Sequence, residues 1–221
     1  MPGFDLSTAR GRRRALLDYL WNDHAYLRLG FSNAHWISAE MVRANQPWPF
    51  QLKGWAARGI RSVINLRGGH DGSFYALERA ACEKFGLELV PFVIASRDVP
   101  TPAQVRGAKT LFESVRYPAL MHCKSGADRA GLMAVLYAHF RQGQSIREAL
   151  SHLSPRYLHM RAGLTGVLDY IFELYLADAE PRGLGFLEWV ESPAYDPVAI
   201  KADFRANWWG TVLTDRLLRR E

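Results

Sequence analysis

His122-Cys123-Lys124-Ser125-Gly126-Ala127-Asp128-Arg129 is the stretch that decides the fold of this chain. A short apolar run, Pro118-Ala119-Leu120-Met121, precedes it, and a helix-forming run from Gly131 to Phe140 follows. That order predicts strand, tight loop, helix. A loop closed over a helix N-terminus turns backbone N–H groups toward its own centre, and the helix dipole adds partial positive charge there. Successive amides in such a turn form an anion-binding nest, and Gly126 lets the chain curl where a Cβ would obstruct it. Arg129, in the first helical turn, can hold two oxygens of an anion through its planar guanidinium, a grip that lysine lacks. Lys124, Ser125, Gly126, Ala127, Asp128 and Arg129 are therefore the candidate phosphate-binding residues. Cationic surroundings of this kind favour the thiolate form of cysteine. Cys123 accordingly reads as a nucleophile at the mouth of a positive cup, and His122 as a group that orients or stabilises it. The plainer alternative is a buried cysteine closing a strand before an ordinary helix, which leaves Arg129, Lys124 and Asp128 clustered without a counter-ion.

Working outward, strands and helices alternate. Ser7 is the expected N-cap of a basic amphipathic helix reaching about Asn22, with Leu16, Leu17 and Leu20 on its apolar face. An aromatic-rich connection follows, and Met41 to Pro47 reads as a short strand ending in a turn. A helix near Phe50 to Arg58 stops at Gly59, and the β-branched run Ile60 to Arg67 fits a buried central strand. After a glycine loop, a helix over about Phe74 to Phe85 ends at Gly86, and Leu87 to Ile94 makes the next strand. Thr101-Pro102-Ala103-Gln104 combines an N-cap, a proline at the first helical position and a capping-box partner, opening a helix to about Val115. The expected architecture is α/β: a central, mostly parallel sheet flanked by helices, with extra helices at both ends and the site at the C-terminal ends of the strands.

The eight-residue stretch resembles the His-Cys-x-x-Gly-x-x-Arg signature of the protein tyrosine phosphatase superfamily, and more closely its atypical bacterial dual-specificity branch. Val42 to Pro47 and Gly59 to Arg67 look like further landmarks of that branch, so the resemblance runs over roughly residues 35–175. It implies hydrolysis of phosphomonoesters through a phospho-Cys123 intermediate, of the tyrosine or dual-specificity type. In the family an Asp on a loop ahead of the nucleophile protonates the leaving oxygen. The loop Ala95 to Pro100 offers Asp98, 25 positions upstream (123 − 98), somewhat closer than the family usually places it. Asp128, directly before the arginine, resembles the residue thought to assist proton transfer in certain bacterial and lipid-directed phosphatases, and Asp71 is a distant third. Lys124 resembles the loops of enzymes acting on inositol phosphates and phospholipids, so a phosphorylated lipid, lipid A or inositol phosphate stays open beside a phosphoprotein. Ala130 departs from the Ser or Thr that most members place there to stabilise the thiolate and help the phospho-cysteine step. That departure keeps a third reading open, a phospho-ligand-binding module with little turnover.

Size and composition bound these readings. The chain has 221 residues, 48% of them hydrophobic, enough for a real core. The expected boundaries are a basic helical extension over 1–34, the phosphatase-like domain over 35–178, and a C-terminal extension over 179–221. In the last, Trp209, Val212, Leu213 and Leu217 share one helical side and arginines gather at the end. That segment reads either as a helix docked on the domain or as one lying on anionic lipid. No apolar run approaches the roughly 20 residues needed to cross a bilayer, and the N-terminus lacks the layout of a secretory signal. A cytoplasmic protein follows, with peripheral contact to an anionic membrane as an added expectation. Of the two cysteines, Cys82 reads as a core residue, with a resolving thiol as the alternative. No Cys or His stands at metal-ligand spacing, so no metal is expected, and the chemistry that the resemblance implies needs no organic cofactor. The net charge of +6 suits an anionic partner, but no nucleic-acid-binding motif accompanies it.

Overall fold

The computed structural model describes residues 4–68 and 71–206. Helix α1 (Ala9–Trp21) leads through a 3-10 turn to β1 (His35–Trp36) and β2 (Met41–Asn45). Then come α2 (Gln51–Ala57), β3 (Ser62–Asn65), α3 (Ser73–Phe85), β4 (Glu88–Pro91), α4 (Pro102–Ser114), β5 (Ala119–Cys123) and α5 (Asp128–Phe140). Three short helices follow, α6 (Ile146–Ala149), α7 (Val167–Leu174) and α8 (Phe186–Glu191). Residues 197–206 are helical; the rest of the expected C-terminal Trp/Arg helix lies outside the described residues. The chain divides into two compact units. One comprises the residues through Ile94 together with Ser114–Ala130, and the other Ala95–Glu113 together with those from Gly131 onward.

The first unit holds the whole sheet, in the order β1-β2-β5-β3-β4, with only β1 antiparallel. The fold class expected from the sequence is therefore the one observed. β5 enters last, between β2 and β3. Its register places Asn45 opposite Cys123 and Asn65 opposite His122, so the loop after β5 emerges between the C-terminal ends of its neighbours. A core of Val42, Leu52, Ile60, Val63, Cys82 and Leu120 backs the sheet. Each such aliphatic residue contributes roughly 1.5–3 kcal/mol on burial. Gly86 caps α3 in the left-handed region, φ +69°, where glycine carries no Cβ penalty. In the second unit the Thr101 capping box is present: Gln104 N donates to Thr101 Oγ1 over 3.2 Å, and Thr101 N donates to Gln104 Oε1 over 2.9 Å.

Helix α1 corrects one expectation. Its N-cap is Thr8, whose Oγ1 accepts from Gly11 N over 3.0 Å, while Ser7 instead bonds Asp5. The buried face carries Ala15 and Tyr19, leaving Leu16 and Leu17 exposed. Tyr19 packs edge-on against Trp48 with ring centroids 4.9 Å apart. An aromatic partner contributed by a distant loop has decided which face turns inward, and leucine periodicity could not show it. Among the described residues, no helix is long and apolar enough to cross a membrane.

Candidate active site

The loop between β5 and α5 is fastened from outside by its carbonyls. Gln46 N donates to Lys124 O over 3.4 Å, and Asn33 Nδ2 donates to Ser125 O over 3.1 Å. A single nitrogen of the fully buried Arg43 donates to both Gly126 O and Ala127 O, at 2.9 Å each. Four consecutive carbonyls therefore point away from the loop centre. In a planar trans peptide the N–H opposes the C=O, so the amides of Ser125, Gly126, Ala127 and Asp128 turn the other way. Within the loop, Ala127 N donates to Ser125 Oγ over 3.4 Å; inward amides of this kind suit an anion. Gly126 sits at φ +75°, and a Cβ there would fall 2.5 Å from Asn45 N and 2.7 Å from the carbonyl carbon of Ala44. Both are backbone atoms of β2, so only glycine fits.

Cys123 ends β5 and is 2% exposed. Arg129 lies in the first turn of α5, its side chain partly buried. One terminal nitrogen reaches Leu66 O only at 3.5 Å, and the buried Nε has no hydrogen-bond partner. An unsatisfied buried donor of this kind costs roughly 1–3 kcal/mol. Asp128 opens α5, where a carboxylate suits the helix dipole. Ala130 is fully buried.

His122 is also fully buried. Its Nε2 lies 2.8 Å from Glu78 Oε1, a contact too poorly aligned to be a hydrogen bond. Glu78, from α3, accepts from Asn65 Nδ2 over 2.6 Å and from Gln46 Nε2 over 3.4 Å. The described partner of the imidazole is thus a buried carboxylate that ties α3 to the ends of β3 and β5.

A second cluster centres on Asp23, just beyond α1. Its carboxylate binds Arg28, at 2.5 Å, and Arg67, and stands 3.7 Å from Lys124 Nζ. Arg67 also donates to Gln46 and lies over the Phe74 ring, 3.9 Å from its centroid. Burial alone would raise the pKa of Asp23. The hydrogen bonds and charge of Arg67, with the charge of Arg28, outweigh burial and hold it below the ordinary carboxylate value. A lowered folded-state pKa contributes stability above the unfolded value, about 3.9, and that stability is lost as pH falls through the folded value. Asp23→Asn should cost about 3–5 kcal/mol at neutral pH, because it leaves two buried guanidinium groups without their counter-ion. Denaturant unfolding at several pH values should show the gap to wild type level down to about pH 4 and closing below it. Equal stability at pH 7 would contradict the role given to this carboxylate.

The remaining expected residues are placed as follows. Asp98 lies in the second unit, half-exposed, with Oδ2 2.8 Å from Lys201 Nζ. It lines a cavity with Val99, Gln104 and Pro197. Asp71 is exposed in the turn before α3. Cys82 is buried in the core, and burial pushes its thiol up to about 12, which leaves it inert as a resolving thiol at neutral pH. Among the described residues, no group of three His, Cys, Asp or Glu side chains could hold a metal ion.

Sequence reasoning missed the fasteners. Arg43 had a signal, since an arginine inside a strand whose five residues are all buried requires acceptors. Asp23 had none, because its partners lie up to 101 positions away (124 − 23).

Residues 35–164 match the family described as a DSP-PTPase phosphatase fused to NAD+ kinase, a span exceeding half of the chain. The chain belongs to that family. Several solved structures share its fold. A mutant form of Tk-PTP is 24% identical, with a TM-score of 0.50, covering 65% of this chain and 97% of that one. TpbA of P. aeruginosa is 18% identical, with a TM-score of 0.52 and coverage of 70% and 86%. PTPMT1 is 18% identical, with a TM-score of 0.50 and coverage of 67% and 99%. No curated protein matches the sequence significantly.

Proposed function

We propose that this DSP-PTPase family member is a cysteine-dependent phosphomonoesterase of the dual-specificity type, working through a phospho-Cys123 intermediate. The observation that carries the reading is the loop itself. Four outward-fastened carbonyls aim its amides inward, and Arg129, in the first turn of the helix that follows, carries a buried, unpartnered Nε. Inward amides and Arg129 hold the non-bridging oxygens of a phosphate. The Cys123 thiolate attacks phosphorus in line, an S–P bond forms, and the P–O bond to the leaving group breaks. A carboxylic acid gives its proton to the departing oxygen. Water then attacks phosphorus, the S–P bond breaks, and the carboxylate recovers a proton as inorganic phosphate leaves. Atoms and electrons balance with water as the only co-reactant. Ala130 offers no hydroxyl to the thiolate leaving in the second step, so breakdown of the intermediate is slow.

Asp98 is the proposed acid and Asp128 its rival. An acid matters most for poor leaving groups, since a nitrophenolate departs nearly unaided. Asp98→Asn should slow alkyl or phenyl phosphates by about 10²-fold and nitrophenyl phosphate far less. If Asp128→Asn alone shows that selectivity, the proton comes from the loop. The same assays test the function: wild-type protein should turn over aryl phosphates, whereas phosphate binding without turnover would make it a phospho-ligand-binding module.

A further inference from the structure

Exposed apolar side chains in the first unit are concentrated in one segment. Leu17, Trp21, Tyr26, Leu27, Leu29 and Phe31 follow one another along the end of α1 and the turn beyond it, from 37% exposed at Phe31 to 66% at Trp21. The Trp21 and Tyr26 rings stand 5.8 Å apart, so these two exposed rings meet in space. Phe31 and the exposed Phe50 line one cavity of about 340 Å³. Apolar exposure concentrated along one stretch of chain in this way marks an interaction surface.

Charge specifies the partner. Arg10, Arg12, Arg13 and Arg14 are all exposed in the preceding turns of α1, and no acidic residue lies between Ser7 and Leu17. At 3.6 residues per turn, Arg10, Arg13, Leu17 and Trp21 fall on one side of the helix, opposite the buried Ala15 and Tyr19. Guanidinium groups followed by leucine and aromatic rings on a single outward face match an anionic bilayer, whose phosphates meet the arginines and whose interface takes the rings. A nucleic acid would match the arginines alone and leave Leu27 and Leu29 in water. The same turn is joined to the catalytic loop, because Asp23, between Trp21 and Tyr26, reaches Lys124, the residue after Cys123.

We infer that α1 and the turn after it are a docking surface for anionic bilayers, which brings the phosphate loop to headgroup level. On the phosphatase reading above, the substrate class is then the phosphomonoester of a membrane lipid. The test is co-sedimentation of the full chain with phosphatidylcholine vesicles, with and without phosphatidylglycerol. Binding should require the anionic lipid and weaken with salt. Arg10→Gln with Arg13→Gln should weaken it on the order of thirtyfold, and Trp21→Ala with Leu27→Ala roughly tenfold or more. Both double variants should keep wild-type melting and wild-type turnover of nitrophenyl phosphate, while hydrolysis of phosphatidic acid in vesicles falls in step with binding. Vesicle binding that is absent, or unchanged in both variants, overturns the docking surface. So does a dimer that Trp21→Ala with Leu27→Ala dissolves in a protein that ignores vesicles. Vesicle binding with nitrophenyl phosphate turnover but no action on phosphatidic acid overturns the substrate class. If wild type binds vesicles yet hydrolyses neither ester, the phosphatase reading fails and the docking surface stands.

Discussion

Cys123→Ser should lower turnover of aryl phosphates by about 10⁴-fold or more, the scale on which removal of an enzyme's nucleophile is felt. A serine hydroxyl at neutral pH is overwhelmingly protonated, and the four carbonyl anchors around the loop do not involve the sulfur. The variant should therefore keep the loop and continue to bind phosphate while losing chemistry. Isothermal titration with inorganic phosphate beside a rate assay separates the two. Activity near wild type in the serine variant would remove the covalent mechanism.

Arg129→Lys is expected to be the next largest loss, about 10²–10³-fold in kcat. Lysine keeps the positive charge but presents a single point of attachment, where the guanidinium offers a planar fork. The unpartnered Arg129 Nε adds a second readout. On the proposed role phosphate satisfies that donor, and only in the folded protein, so millimolar phosphate should raise the wild-type melting midpoint by mass action and raise that of Arg129→Lys much less. An equal rise in both would show that Arg129 does not hold the anion.

These two residues were legible in the sequence because their chemistry is local. Cys123, Gly126 and Arg129 belong to one turn, and strand, loop and helix follow from the apolar runs on either side. The parallel sheet was legible for a similar reason, since Val42, Val63 and Leu120 sit in short apolar runs separated by helical ones. What could not be read is what holds the loop open. Arg43, Asn33 and Gln46 reach it from other elements, and contacts between residues distant in sequence leave no periodicity. In helix α1 the leucine spacing gave one apolar face but not what covers it: Ala15 and Tyr19 are buried, Tyr19 edge-on against Trp48, while Leu16 and Leu17 are exposed. Asp98 carries a role only by its place ahead of the nucleophile, and its ion pair with Lys201 is a feature that sequence alone does not offer.

The central claim is that phosphate passes through Cys123. Rapid acid quenching during turnover of a good aryl phosphate, followed by peptide mass analysis, tests it most directly. With no hydroxyl at Ala130 to speed the second step, the intermediate should accumulate, and a burst of phenolate should match the amount of phosphorylated enzyme. One phosphoryl group on the peptide bearing Cys123, absent from Cys123→Ser, is the expected result. Steady turnover with no burst and no phosphorylated peptide, or a phosphoryl group on any other residue, would contradict it.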